Sequence, residues 1–255
     1  MIGIFDSGSG GLTMLAPIRR LLPDADILYF GDIKNAPYGN RTHEELTQLT
    51  VDAIRFLESR GATSIVSACN SVSASLSLSL FDMLDLAPAS LIEMVGPTAA
   101  SFRDSDARIL LCATAATIRS GLYQNAFRML GQHIQTLPLP ELAGAIEAGA
   151  SEEEIERIVK EGLTALDTGS FDTVVLSCTH YPLVKDVFVR ALPGGARIVD
   201  PGEIVAERVV REWKDSERGS GSLTFTVSQD SAPFRASVER LFPGTTYTVE
   251  VAEAQ

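Results

Sequence analysis

The sequence has little positive charge and no long apolar run. It carries 21 lysine and arginine residues against 33 aspartate and glutamate residues, a formal net charge of −12 over 255 residues. Proteins that bind nucleic acid or anionic membrane surfaces usually carry a basic excess, so we expect neither partner. Since no apolar run reaches the ~20 residues that span a bilayer, we expect no membrane span either.

Cysteine and signal-peptide features are also scarce. Three cysteines are too few, and an odd number, for a disulfide scaffold. The segment Met1–Asp6 lacks a basic start and reaches an acidic residue at position 6, which is not typical of a signal peptide. With 45% apolar and 21% charged residues, the composition is that of a globular protein. Together these features predict a cytoplasmic protein with reduced thiols.

Short apolar runs alternate with segments of helical period. The predicted strands are Ile2–Phe5, Ile27–Phe30, Thr63–Ala68, Leu91–Val95, Arg108–Cys112, His133–Pro138, Thr173–Ser177, Arg197–Val199, Leu223–Val227 and Thr246–Val251. The predicted helices include Thr42–Ser59, Ser71–Leu84, Ile118–Leu130, Ser151–Leu166 and Ile204–Trp213. This alternation predicts an α/β fold with mainly parallel, doubly wound sheets.

An internal similarity predicts two pseudo-symmetric halves. The run Ser64–Ser71 resembles Thr173–His180, because each is an apolar strand followed by a cysteine and two polar residues. We place a domain boundary near Gly96 and another near Gly202, giving a first α/β domain of residues 1–95 plus 205–255 and a second of 96–204. Ligands of such sheets bind beyond the carboxyl ends of the strands, so we expect the active site in the cleft between the domains.

Two of the three cysteines are candidate functional groups. Cys69 precedes Asn70 and Ser71, and Cys178 precedes Thr179 and His180, so neither lies in a purely apolar segment. A helix N-terminus after Cys69 would favour its thiolate, and His180 could do the same for Cys178. The alternative, a buried apolar cysteine, suits Cys112 within the run 110–113.

The other two histidines and the turn Pro37–Gly39 are weaker candidates for functional residues than the two cysteines. His43 follows a helix start and is expected in solvent, whereas His133 opens a predicted strand and is expected to be structural. The segment Pro37–Gly39 is a common turn, although Tyr38 at the same sheet edge could close over a small polar ligand.

Cofactor motifs are missing. The loop Asp6–Gly11 is not a dinucleotide fingerprint, because Thr13 stands where glycine is needed. A flexible turn between a strand and a helix is the alternative interpretation of this loop. Lys160 and Lys214 lie in charged helical segments, and no phosphate loop accompanies Lys34 or Lys185. No lysine is therefore a convincing Schiff-base residue. Cys69, Cys178 and His180 have no metal-ligand spacing, so we expect no metal and no cofactor.

The motifs in their order resemble one known family. These are Ile4–Leu12, Pro37–Arg41, Ala68–Ser71, Ala113–Ile118 and Leu176–Pro182. They are similar to the glutamate racemase branch of the cofactor-independent aspartate/glutamate racemase superfamily. Three positions differ from the pattern of that family. Ser71 stands where the family usually has threonine, and Ala113 and Ala116 stand where it usually has glycine.

The resemblance implies a fold, an activity and a set of site residues. The fold is two α/β domains with the site between them, and the activity is cofactor-independent interconversion of L- and D-glutamate, which supplies D-glutamate for peptidoglycan. Cys69 and Cys178 would be the acid/base thiols, assisted by Asp6, His180 and Glu147. The implied substrate-binding residues are Asp6, Ser7, Tyr38, Gly39, Asn70, Ser71, Thr114, Thr117, Thr179 and His180.

Other functions stay open at this point. The chain could be an aspartate or other amino-acid racemase of the same superfamily, or a small-molecule binding protein that has lost the chemistry. A thiol redox protein with a disulfide between Cys69 and Cys178 is a third class. Of oligomers we consider a homodimer, although the sequence does not fix the oligomeric state.

Overall fold

The structure, a computed structural model, describes residues 1–73, 76, 84, 87–164, 166, 170–192 and 194–252. Its strands are β1 Ile2–Asp6, β2 Ile27–Gly31, β3 Ser64–Ser67, β4 Leu91–Ile92, β5 Ile109–Ala113, β6 Gln135–Pro138, β7 Thr173–Ser177, β8 Arg197–Val199, β9 Leu223–Val227 and β10 Thr248–Val251. The first sheet has the order β10-β9-β2-β1-β3-β4, and the second has the order β6-β5-β7-β8. Every pairing is parallel, which confirms the predicted α/β fold class.

Helices connect these strands. They are α1 Leu12–Leu21, α2 His43–Ser59, α3 Asn70–Ser73, α4 Val95–Ala100, α5 Ala115–Ser120, α6 Leu122–Met129, α7 Leu142–Glu147, α8 Glu152–Leu163, α9 Lys185–Ala191, α10 Pro201–Trp213 and α11 Ala232–Leu241. Short 3₁₀ turns span Ile33–Asn35, Tyr38–Asn40, Pro88–Ser90 and Tyr181–Val184. Thr42 and Glu45 form the capping box expected at the start of α2, which fixes where that helix begins.

The predicted strand Leu91–Val95 is wrong beyond Ile92. The Glu93 carboxylate accepts hydrogen bonds from the backbone amides of Val95, at 2.5 Å, and Gly96, at 2.6 Å. These amides are the free donors of a helix start, so the chain turns into α4 after only two strand residues.

Two other expectations need correction, and one falls partly outside the structure. The predicted helix Ile118–Leu130 is two helices, because Gly121 lies between α5 and α6 with a φ of 68° in the left-handed region. His133 is exposed and precedes β6 instead of opening it. Of the predicted helix Ser71–Leu84, the structure shows α3, and residues 74, 75 and 77–83 lie outside the described residues.

The apolar core of the first sheet also takes in a helix from later in the chain. Val205, Val209 and Trp213 of α10 are buried in the same cluster as Ile4 and Leu15. Strands β9 and β10 complete the first sheet, so the end of the chain packs with its beginning. The domain boundaries given above stay a prediction.

Cys112 lies in the core of the second sheet. Its side chain is fully buried in β5 beside Leu110 and Leu176, as the sequence predicted. Within the described part of the chain, no helix combines the length and the apolar character needed to cross a membrane.

Candidate active site

Both candidate thiols lie where the carboxyl edges of the two sheets meet, a region we call the cleft. Cys69 follows β3 of the first sheet, and Cys178 follows β7 of the second. They share one small cavity of about 20 Å³, whose lining residues are Ser7, Pro37, Tyr38, Gly39, Cys69, Asn70, Ser71, Thr114, Ala143, Cys178, Thr179 and His180. The topology therefore brings together two thiols that are far apart in the chain.

Cys69 is held as a thiol. Its sulfur contacts the Ser7 hydroxyl at 3.8 Å and is almost completely buried. Burial and the nearby Asp6 carboxyl raise the pKa of the Cys69 thiol to about 12, although the backbone amide of Val72 acts in the opposite direction. Burial therefore outweighs the expected effect of the backbone amides that follow Cys69.

Cys178 has a basic partner. Its sulfur lies 3.8 Å from Nδ1 of His180, and Nε2 of that ring lies 2.5 Å from Oε2 of Glu147. Burial lowers the pKa of His180, but its contacts with Cys178 and Glu147 outweigh burial and raise the pKa well above its ordinary value. Burial raises the pKa of Glu147, but bonds from His180 and Ser9 hold it below its ordinary range. His180 and Glu147 therefore form an ion pair beside the Cys178 sulfur.

Asp6 connects the two sheets behind the cavity. One of its oxygens accepts from the Gly8 amide at 3.0 Å, and the other accepts from the Thr179 hydroxyl at 3.0 Å. Burial raises the pKa of Asp6, against the opposing effect of His180. Asp6 does not line the cavity, so it acts on the site through Cys69 and Thr179.

Hydroxyl groups close another side of the cleft. Ser71 lies 2.9 Å from the Thr114 hydroxyl, which lies 3.0 Å from that of Thr117. Thr117 and Glu147, like Asp6, lie behind the lining residues and do not reach the cavity. The methyl groups of Ala113 and Ala116 are buried in apolar clusters and likewise stay outside it.

The expected tyrosine lines the cavity, but its hydroxyl is already engaged. Tyr38 donates to Oδ2 of Asp32 at 2.6 Å. Gly39 next to it lies so close to the second sheet that a Cβ there would be 2.9 Å from Cβ of Thr114. The Tyr38 hydroxyl can therefore still accept a hydrogen bond, and Gly39 lets the turn approach the second sheet closely.

Asn70 presents an unpaired donor. Its Oδ1 accepts from the hydroxyl of Tyr123 at 2.6 Å, and its buried Nδ2 has no partner among the residues that the structure describes. An unpaired buried amide is costly unless a ligand completes it. Sequence reasoning missed Tyr123, because it is 53 residues from Asn70 and no local pattern marks it.

Pro37 and Ala143 were also missed as lining residues. Pro37 could have been found through the adjacent turn, whereas Ala143 is a small residue inside α7 with no distinguishing signal.

All three cysteines are free thiols, and in the described ranges no group of three or more His, Cys, Asp or Glu side chains could hold a metal ion. The expectation that no cofactor is needed stays a prediction. The groups that the cleft brings together, which are two thiols, a histidine and two carboxyl groups, can exchange protons.

Comparisons with known proteins agree on one family. The model of the Asp/Glu/Hydantoin racemases matches residues 10–209. A glutamate racemase of Desulforudis audaxviator is 38% identical, covering 92% of this chain and 91% of its own. Glutamate racemase 3 of Caldanaerobacter subterraneus subsp. tengcongensis is 32% identical, covering 99% and 95%. The crystal structure of Francisella tularensis glutamate racemase in complex with D-glutamate superposes with a TM-score of 0.86 at 25% identity, covering 99% of this chain and 97% of that one.

The ion pair predicts an unusual titration of His180. We expect ¹⁵N NMR to show that both ring nitrogens keep their protons above the ordinary pKa of histidine, because Glu147 and Cys178 favour the charged ring. In Glu147→Gln the pKa of His180 falls, so the ring loses its proton at lower pH. A neutral ring in the parent protein at pH 7 would contradict the ion pair.

Proposed function

Because this chain belongs to the Asp/Glu/Hydantoin racemase family, we propose that it interconverts L- and D-glutamate with Cys69 and Cys178 as the two groups that exchange the α-proton. Racemisation of glutamate is the activity named for relatives that match nearly the whole chain. The observation that supports the two thiols is their position in one buried cavity, each from a different sheet.

Racemisation needs two groups on opposite faces of the α-carbon. One thiolate takes the α-proton, which breaks the Cα–H bond and leaves negative charge on the substrate. The other thiol then gives its proton to the opposite face and becomes the thiolate. One sulfur must therefore be ionised while the other keeps its proton, and the roles exchange with the direction of the reaction.

The two environments provide this asymmetry in the substrate-free protein. On one side, the protonated His180 ring places a positive charge 3.8 Å from the Cys178 sulfur. Burial and Asp6 keep Cys69 a thiol. We therefore propose that Cys178, beside the protonated ring, and Cys69, held as a thiol, form the unlike pair of groups that the reaction needs.

The substrate's α-carboxylate must absorb the negative charge, since no cofactor is assigned to the site. The Nδ2 group of Asn70 is a buried donor with no partner among the described residues, so it is preorganised for this charge. The hydroxyl of Thr179 donates to Asp6 and is left as an acceptor for the substrate's ammonium group. These local groups must overcome the repulsion that a net charge of −12 exerts on an anionic substrate.

The thiols must return to their starting states between turnovers of the same enantiomer. Glu147 also borders a separate outer cavity of about 330 Å³, and its side chain is 15% exposed. The chain of contacts from Cys178 through His180 to Glu147 is therefore our proposed route for proton exchange with solvent.

Glutamate cannot enter the structure as it stands. A cavity of about 20 Å³ has room for roughly one water molecule, far less than an amino acid needs. The cleft must therefore widen to admit substrate and close again for the chemistry, which excludes water from the charged intermediate.

The broader assignments stay predictions. A family member of this kind would supply D-glutamate for peptidoglycan in the cytoplasm. The absence of nucleic-acid and membrane partners is predicted from the sequence alone, and a homodimer is one oligomeric state that we consider.

The thiol assignment predicts which cysteine variants lose activity. Cys69→Ser and Cys178→Ser should each reduce kcat for glutamate by about 10²–10⁴-fold, since a hydroxyl is a much weaker acid/base group at the same position. Cys112→Ser, fully buried in β5, is the matched control and should leave kcat within about twofold. Circular dichroism would follow both directions. Racemisation by either site variant at the parent rate would exclude the assignment.

A second prediction is that activity falls when Tyr123 no longer orients the Asn70 amide. Tyr123→Phe removes the hydroxyl that fixes the Asn70 amide, so kcat/KM should fall about tenfold. In an Asn70→Ala background the same change should have no further effect. Tyr181→Phe is the control, because this buried hydroxyl donates to the backbone oxygen of Leu139 outside the site. Additive losses in the double variant would show that Tyr123 acts by another route.

A further inference from the structure

Ser9 reaches across the cleft from the loop before α1. Its hydroxyl donates to Oε2 of Glu147 at 2.7 Å, and its backbone amide lies 3.0 Å from the same oxygen. Ser9 is almost fully buried, and the two residues are 138 positions apart in the chain. Ser9, in a loop of the first sheet, therefore holds the carboxylate of Glu147, which lies in a helix that packs with the second sheet.

The same oxygen binds the catalytic histidine. Oε2 of Glu147 also lies 2.5 Å from Nε2 of His180, whose other nitrogen contacts Cys178. Ser9 and His180 therefore hold Glu147 from two sides. A carboxylate held in this way orients the ring that it binds.

The neighbouring glycines show how closely the loop is pressed against this pair. A Cβ at Gly8 would lie 2.9 Å from the Glu147 carboxylate, and a Cβ at Gly10 would lie 2.7 Å from Nδ1 of His180. Larger residues at either position would push the pair away. Between these two glycines, Ser9 has the side chain that binds Glu147.

We propose that Ser9 is a positioning residue for the Cys178 half of the reaction, seating Glu147 so that His180 is aligned with the Cys178 sulfur when the cleft closes. Because these bonds join the two sides of a cleft that must widen for substrate, they break on opening and form again on closing. Closure and assembly of the Cys178 site are then one event. Cys69 contacts Ser7 and has no bond to Ser9, so its half of the reaction is not coupled in this way. This inference rests on the two-thiol function proposed above.

Racemisation rates cannot separate the two thiols. The enantiomers have equal free energy, so any variant must have the same kcat/KM in both directions. A one-way reaction avoids this limit. With a β-chloro analogue of glutamate, a thiolate takes the α-proton, the C–Cl bond breaks with its electron pair on chloride, and the resulting enamine hydrolyses to a 2-oxo acid and ammonium. Each enantiomer of the analogue exposes its α-proton to one thiol only.

The experiment measures release of the 2-oxo acid from both enantiomers. Cys178→Ser identifies the enantiomer that depends on Cys178, and Cys69→Ser identifies the other. Ser9→Ala should slow the Cys178-dependent enantiomer about tenfold, because a hydrogen bond to a charged group is lost, and leave the other within about twofold. The unaffected enantiomer also reports that the variant is folded.

Thr13→Val is the matched control for Ser9. The Thr13 hydroxyl also crosses the cleft, to the backbone oxygen of Thr179 at 3.1 Å, but it does not touch Glu147. Because only a bond to a neutral carbonyl is lost, it should leave both eliminations within about twofold of the parent. Equal effects of Ser9→Ala on the two enantiomers, or none, would overturn the role of Ser9 alone. If the two cysteine variants do not divide the enantiomers between them, the two-thiol function fails and the role of Ser9 fails with it.

Discussion

The site depends on hydrogen bonds that hold the carboxyl edges of two parallel sheets face to face. Asp6 accepts a hydrogen bond from Thr179, and Ser9 donates one to Glu147. The loops after the strands of one sheet are therefore held by residues that follow the strands of the other sheet. A parallel sheet places the residues after its strands at one edge, but it cannot set the distance to a second sheet. That distance decides whether two sulfurs can share one α-carbon, and the cross-cleft bonds hold the loops in place at the distance that packing sets.

The same bonds give the two thiols different electrostatic surroundings. On one side, the protonated His180 lies between Glu147 and Cys178. On the other, the buried Asp6 and Cys69 oppose each other's charge. Burying an ion pair costs free energy that its Coulomb attraction only partly returns. In the reaction that we propose, this cost would support function, because removing and returning a proton at one carbon needs one ionised and one protonated sulfur at the same time.

Much of this arrangement could be predicted from the sequence, because it depends on local pattern. The apolar runs predicted the strands, and the polar residues after Cys69 and Cys178 separated them from Cys112, which is buried in β5. The family resemblance placed Asp6 and His180 beside them. The break at Gly121 was missed because a helical period continues through it.

The missed contacts join residues that are distant in the chain. Tyr123 binds Asn70, and Ser9 binds Glu147, over separations for which one sequence contains no signal. Tyr38 lines the cavity, and the turn pattern did not indicate that its hydroxyl donates to Asp32. Packing of the two sheets decides such partners, and a strand or helix pattern does not contain that information.

The central claim is that two opposed thiols, and not one shared base, transfer the proton. The most direct test is to incubate L-glutamate alone with the protein in D₂O and to measure α-deuterium in both enantiomers by mass spectrometry at early times. Two thiols predict that the D-glutamate formed carries deuterium from the first turnovers, while the remaining L-glutamate keeps its protium. Deuterium appearing equally early in both enantiomers, or D-glutamate that retains protium, would contradict the account.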